Sequence, residues 1–154
     1  QMAHTHSNVL IHTIFSTKDR KPTLDRDLRP RMHAYLGGIV REIGGVAIRV
    51  NGTAGHVHML LRVPPIVAVA DMIRDIKASS SKWINYNKFV KGRFLWQEGY
   101  VAVSVARSDR DRVIKYIMNQ EEHHGSKRFR EEYFELLNEF QIEFDPQYIF
   151  EFYE

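Results

Sequence analysis

A chain of 154 residues with 44% hydrophobic and 12% aromatic side chains holds enough apolar material for one packed core and too little length for a second. It has no cysteine, which excludes a disulfide framework and zinc–thiolate sites, and neither a membrane-spanning apolar run nor a secretory signal pattern can be read in it, so a cytoplasmic protein is expected. A net charge of +3 and an isoelectric point near 9.2 permit a nucleic-acid partner without requiring one.

Residues 1–7 are expected to form a flexible N-terminus, with Gln1 ahead of Met2 reading as a cloning remnant, and 8–154 a single domain. His4 and His6 have a ligand-like spacing but lie near a terminus, where fraying is the default, and lack apolar alternation around them. Residues 8–17 alternate as a strand, with Val9, Ile11, Thr13 and Phe15 on one face and Leu10, His12 and Ile14 on the other. Apolar residues on both faces mark a central strand, and His12 is read as one of its hydrogen-bonded polar residues rather than as part of a site. After a basic turn at 17–22, residues 25–43 have helical spacing through Leu28, Met32, Leu36, Ile39 and Ile43. Pro30 is tolerable in the first turn, and Gly44-Gly45 is a stop signal. A second strand, 46–50, alternates Val46, Ile48 and Val50 with Ala47 and Arg49, and 51–55 form a short glycine-bearing connection to an antiparallel neighbour.

That neighbour reads Gly55-His56-Val57-His58-Met59-Leu60-Leu61. Strand side chains alternate, so His56 and His58 share a face about 7 Å apart while Val57, Met59, Leu61 and Val63 face a core. Two imidazoles at that separation can converge on one metal ion and leave positions open for further ligands and substrate. Spacing alone is equally satisfied by hydrogen-bonded histidines in an ordinary strand.

Pro64-Pro65 ends this strand. Residues 67–89 form a long helix, with Ser79-Ser80-Ser81 a weak point by propensity. Residues 96–105 read as a fourth strand. Residues 108–124 follow as a helix with Ser108 and Asp111 as a capping box, and 128–140 as a further amphipathic helix. The order β-α-β-β-α-β with added C-terminal helices predicts an α+β, ferredoxin-like fold: a four-stranded antiparallel sheet with helices on one face. Such a fold hosts many functions and decides none. On the helix 108–124, Tyr116 and Gln120 are four residues apart and so share a face, about 6 Å apart along the axis.

A strand carrying His56-Val57-His58, followed by a helix carrying Tyr116 and Gln120, resembles the single-tyrosine HUH transposases of the smallest bacterial insertion sequences. Asp75-Ile76-Lys77-Ala78, Trp96-Gln97-Glu98-Gly99 and Asn119-Gln120-Glu121-Glu122-His123-His124 carry the resemblance further, over nearly the whole chain from Asn8 to Phe150. The resemblance implies that Tyr116 attacks a scissile phosphate, giving a 5′-phosphotyrosine and a free 3′-hydroxyl. It implies that His56, His58 and Gln120 bind a divalent ion, Mg²⁺ or Mn²⁺. Its substrate would be single-stranded DNA with hairpins at insertion-sequence ends, and its assembly a homodimer in which the Tyr116 helix can be contributed in trans. A covalent intermediate conserves the phosphodiester energy, so no nucleotide cofactor is needed. Glu121, His123 and His124 are alternative or supplementary ligands. Arg62, Arg74, Lys77 and Lys82 are candidate phosphate contacts, and Trp83 or Tyr86 candidate stacking platforms for bases.

Four other readings compete. A metal-dependent or histidine-nucleophile hydrolase is one, but its histidine-triad type needs a third histidine where Leu60 stands. A small structural or dimerisation domain would make the His56, His58, Tyr116 and Gln120 pattern a coincidence. A non-catalytic single-strand nucleic-acid-binding module would carry exposed aromatics on its central strands, where this chain has histidines and aliphatic residues. A domesticated HUH nuclease would share the active site and differ only in its employment.

Overall fold

The computed structural model describes residues 5–120 together with 131, 134, 135 and 138. Its strands are β1 (Val9–Ser16), β2 (Val46–Gly52), β3 (His56–Val63) and β4 (Val101–Ser104), and its helices α1 (Leu28–Ile43), α2 (Val69–Asn87) and α3 (Arg110–Met118). The strands form one antiparallel sheet in the order β2-β3-β1-β4. That order is the split β-α-β arrangement the pattern predicts.

The two faces of the sheet are unequal. Ile11 and Phe15 of β1 and Val57, Met59, Leu61 and Val63 of β3 pack with Met32, Leu36 and Val40 of α1 and Met72, Ile76 and Ile84 of α2. The opposite face carries a small cluster, Leu10, Leu60 and Ile117, edged by Ile48, Val113, Ile114 and Tyr116. So α1 and α2 cover one face, and α3 lies on the other. Because β1 and β3 are central and covered on both sides, nearly all of their side chains are buried.

Several boundaries differ from the pattern reading for local reasons. Pro30 falls in the first turn of α1, and Gly44 closes the helix at φ 101°, a left-handed conformation that suits glycine. The fourth strand begins only at Val101, because Gly99 takes φ 84° and interrupts the extended run after Trp96. The serine run does not weaken α2. Ser80 is buried, donates to the Ile76 carbonyl at 2.7 Å and accepts the Trp96 indole N–H at 2.9 Å, so it pins the following loop to the helix. No capping box forms at Ser108: residues Arg107–Asp109 make a 3₁₀ turn that runs into α3, whose N-cap Asp109 makes no side-chain cap bond. Of the helix expected over 128–140, residues 131, 134, 135 and 138 are helical. The remainder of that helix, the last turn of the one before it and the tail lie outside the described residues.

On α1, His33 is partly buried, and its Nε2 has no hydrogen-bond partner among the described residues. Burial, and then the charge of Arg29, push its pKa down to about 4. The unfolded chain takes up this proton near 6.5, the ordinary histidine value, whereas the folded protein resists it until about 4. Stability is therefore undiminished above pH 6.5 and is lost as the pH falls toward 4. In a calorimetric series over that window, the melting temperature of His33→Gln should fall less than that of the wild type. Parallel curves would show that His33 accepts a proton without cost to the fold.

Candidate active site

The second face of the sheet brings three histidines together. The register sets Ile14 opposite His58, His12 opposite Leu60 and Ser16 opposite His56. The period of two then places Leu10, His12 and Ile14 of β1 on the same side as His56, His58 and Leu60 of β3. His12 reaches diagonally to His58, with its Nε2 3.0 Å from His58 Nδ1. His56 is held at the same ring atom by another partner, the Thr53 hydroxyl, 2.9 Å from its Nδ1. Both histidines of the pair are thus engaged at Nδ1, and their ring centroids lie 5.1 Å apart.

The hairpin leading into β3 has little freedom. The Thr53 N–H donates to the His56 carbonyl at 3.0 Å, and a Cβ at Gly52 would collide with that carbonyl, so glycine is needed for the strands to close. His12, His56, His58 and Gln120 are all buried. Burial lowers the His12 pKa to about 4, leaving that ring neutral at pH 7.

α3, which ends at Met118, and Gln120 two residues beyond it supply the other half. Gln120 Oε1 stands 3.2 Å from His56 Nε2, and the Gln120 amide NH₂ donates to the Tyr116 carbonyl at 3.3 Å. The second bond decides the orientation of the amide: its NH₂ must face the carbonyl, so its oxygen faces the histidine. The Tyr116 ring is partly buried, edge-on to His58 at 5.8 Å and to His12 at 6.1 Å between centroids. His56, His58, Tyr116 and Gln120 therefore meet within one chain.

Asn51 holds the two halves together. Its Nδ2 donates to the Ile117 carbonyl at 2.9 Å and to the Met118 carbonyl at 3.0 Å, at the end of α3. Asn51 can do this because of a bulge in β2, where the register steps between Ala47 and Arg49. With straight pairing from Val46 and Arg62, Asn51 would oppose Val57 and point toward α1 and α2. The extra residue sets it opposite His58 and on the histidine side. The same shift turns Val50 to the main core with Ala47 while Ile48 stays with the α3 cluster, contrary to the simple alternation expected of 46–50.

The donors available to an ion are two imidazoles and one amide oxygen. Among the described residues no group of three or more His, Cys, Asp or Glu is placed to hold a metal. The observed set nevertheless fits one. His56 Nε2 and Gln120 Oε1 are 3.2 Å apart, close to the separation of about 3 Å between neighbouring ligands of an octahedral ion about 2.1 Å away. Glu121, His123 and His124 lie outside the described residues.

Reading the residues alone missed three members of this site. His12 carried a signal, its parity on a central strand, but that signal is shared by any polar residue of the same face. Thr53 and Asn51 lay in what reads as a connection. The proposed phosphate contacts lie apart from the site. Arg62 donates to Asn8 Oδ1 at 3.0 Å. Arg74 is tied to Asp71 and Asp75 at 3.0 and 3.2 Å. Lys77 donates to the Gln97 and Gly99 carbonyls at 2.7 and 2.9 Å. Lys82 lines an open concavity with Ser81, Asn85, Tyr86, Lys88 and Arg93. These α2 residues sit on the face opposite the histidines. Trp83 is stacked on Tyr35 at 4.3 Å, whereas Tyr86 is 84% exposed.

Residues 5–120 match the family described as Transposase IS200 like. The transposase of insertion sequence element IS200 from Salmonella typhimurium is 26% identical over 125 residues, 77% of this chain and 81% of that protein. The ISDra2 transposase TnpA from Deinococcus radiodurans is 26% identical over 114 residues, 71% of this chain and 81% of that protein. Among solved structures, a candidate transposase from Deinococcus radiodurans R1 superposes with a TM-score of 0.63 at 22% identity, covering 78% of this chain and 96% of that one. A REP-associated tyrosine transposase bound to a REP hairpin superposes with a TM-score of 0.60 at 14% identity, covering 81% and 75%. These two likenesses establish the shared fold.

Asn51→Ala removes both bonds to α3. It should lower stability by about 1 to 3 kcal/mol at roughly 0.5–1.5 kcal/mol per bond. In hydrogen exchange the amides of 113–120 should lose more protection than the β1–β3 ladder does. Unchanged protection in α3 would show that its apolar contacts suffice to hold it.

Proposed function

We propose, for a chain that belongs to the family of IS200-like transposases, that it cuts and rejoins single-stranded DNA with Tyr116 as the nucleophile. The observation that carries this reading is the convergence of Tyr116 from α3, and of Gln120 just past its end, on His56 and His58 from β3. In the cleavage step the Tyr116 oxygen bonds to phosphorus as the bond to the 3′ oxygen breaks. The phenol loses its proton and the departing 3′ oxygen gains one. The product is a 5′-phosphotyrosine and a free 3′-hydroxyl, and attack by a 3′-hydroxyl on that linkage reverses the step and rejoins the strand.

His56, His58 and Gln120 would hold Mg²⁺ or Mn²⁺, and such an ion polarises a phosphate and offsets the charge building on its oxygens. The three donors are uncharged, so they would leave the whole positive charge of the ion to the phosphate. The Thr53 and His12 contacts keep the two rings from swinging about χ2 and so preserve the aim of their Nε2 atoms.

Hairpin DNA at the ends of an insertion sequence is the substrate we assign, by likeness to the hairpin-bound relative. Among the four cations read from the sequence, Lys82 makes no hydrogen bond or ion pair among the described residues. With Lys88, Arg93 and the exposed Tyr86 it offers charge and a stacking ring together. Arg62, Arg74 and Lys77 would have to give up their present bonds to grip a phosphate. Pairing of two copies is part of the proposal. Exchange of α3 between copies would leave the local site unchanged, because Asn51, His56 and the helix meet through contacts rather than through chain neighbours.

Oligonucleotides labelled at either end and drawn from the flanks of the gene test the assignment. Wild type with Mg²⁺ or Mn²⁺ should form a denaturant-resistant adduct with the 5′-phosphate side, and Tyr116→Phe should form none. His56→Ala and His58→Ala should slow cleavage by about 10² to 10³. Adduct formation by Tyr116→Phe would remove Tyr116 as nucleophile. Restored cleavage on mixing Tyr116→Phe with His56→Ala would assign the tyrosine to the other copy.

A further inference from the structure

We propose that His12 is a positioning residue, which fixes His58 in the tautomer that can bind an ion. The inference rests on the reading of His58 as a ligand and adds a partner to it. A neutral imidazole carries one proton on two nitrogens, and only the other nitrogen has a lone pair to give. His58 has its Nδ1 committed to His12 Nε2 at 3.0 Å, so a metal bond must come from Nε2. A contact of that length between two ring nitrogens contains one proton, and two arrangements are possible. If His12 donates, His58 accepts at Nδ1 and carries its own proton on Nε2, where it blocks ligation. If His58 donates, His12 accepts and the lone pair of His58 lies on Nε2, the nitrogen that would bind. The site works only in the second arrangement, with His12 as acceptor.

The placement of His12 suits that task. It lies one diagonal step from His58 across the central pair of strands, on a β1 backbone paired on both sides by β3 and β4. It is buried, with its ring 36° from that of His58 and edge-on to Tyr116, so it backs both the ligand and the nucleophile. Thr53 engages Nδ1 of His56 in the same way. A hydroxyl, however, can donate or accept, so it suits both the Nε2–H tautomer in which His56 donates to Gln120 Oε1 and the Nδ1–H tautomer that an ion at Nε2 requires. The partner of His58 is a second imidazole, whose own proton must move to Nδ1 for His12 Nε2 to accept. The two rings therefore choose their tautomers together.

Two measurements on the full chain, labelled with ¹⁵N in its histidines, test this. Two-bond ¹H–¹⁵N correlation spectra, with His58 identified by loss of its signals in His58→Gln, should show wild-type His58 protonated at Nδ1 before any ion is added and also with Mg²⁺. Mn²⁺ binding, followed by electron paramagnetic resonance, should weaken about 10- to 100-fold in His12→Leu, as for other partners of metal-bound histidines. His12→Gln can accept through Oε1 and should recover most of that loss. His58 protonated at Nε2 in the wild type, or wild-type Mn²⁺ affinity in a folded His12→Leu, overturns the proposal. So does a folded His12→Gln that binds as poorly as His12→Leu. Should His12→Leu not fold, the wild-type spectrum and the Mn²⁺ affinity of His12→Gln still decide. The ion-site reading itself fails separately, if His56→Ala leaves wild-type Mn²⁺ binding untouched.

Discussion

Two hydrogen bonds from the Asn51 amide to the carbonyls of Ile117 and Met118 hold the end of α3 against the sheet, and the placement of Tyr116 and Gln120 depends on them. α3 has nine residues, and a helix of that length is marginal by itself in water. Its apolar hold is small: Ile117 is its fully buried side chain, packed on Leu10 and Leu60. The main core, by contrast, joins both long helices to the sheet. One face of the sheet therefore supplies most of the rigidity, and the other supports a short element whose position rests on a few directed bonds. A single bulge in β2 makes this possible, since one residue fewer would turn Asn51 to the wrong face.

The chemistry of the pocket follows from burial without charge. Three imidazoles and an amide, all buried, would be costly as cations and are inexpensive when neutral and hydrogen-bonded to one another. The His12–His58, Thr53–His56 and His56–Gln120 contacts do that work. A carboxylate in place of Gln120 would add a buried negative charge, which burial disfavours unless it is paired. The neutral set keeps the fold stable with no ion bound, and would leave the field of the proposed ion undiluted. The stability of the apoprotein and the usefulness of the site thus pull in the same direction.

Much of this was legible in the sequence, and the reason is periodicity. His56 and His58 sit on a strand whose alternation is unbroken, so their shared face follows from a period of two; Tyr116 and Gln120 share a helical face by the same kind of argument. The order of elements and the antiparallel sheet follow from glycine stops and short connections. What failed to show has a common cause: it depends on register between strands, or on backbone steps of one residue. Nothing local marks the bulge at Ala47 to Arg49, so Asn51 read as part of a connection. His12 was assigned to the correct face but taken for a merely satisfied polar residue, because its partner lies 46 positions away and diagonally across the sheet. Ser80 looked like a helix weakness because propensity cannot see the Trp96 indole that occupies it.

The division of the site between two elements also constrains how it can change. His12, Thr53, His56 and His58 are fixed by the sheet and its tight hairpin, a region covered on both sides and paired strand to strand. Tyr116 lies on α3, Gln120 follows two residues past its end, and both are held by the Asn51 bonds and the packing of Ile117. Displacing α3 would remove the tyrosine and the amide oxygen together and leave the two imidazoles in place, still held at Nδ1. Elements with few buried contacts open at lower free energy than the core they rest on. Tyr116 is thus carried by the less firmly held part, and the histidine pair by the firmest.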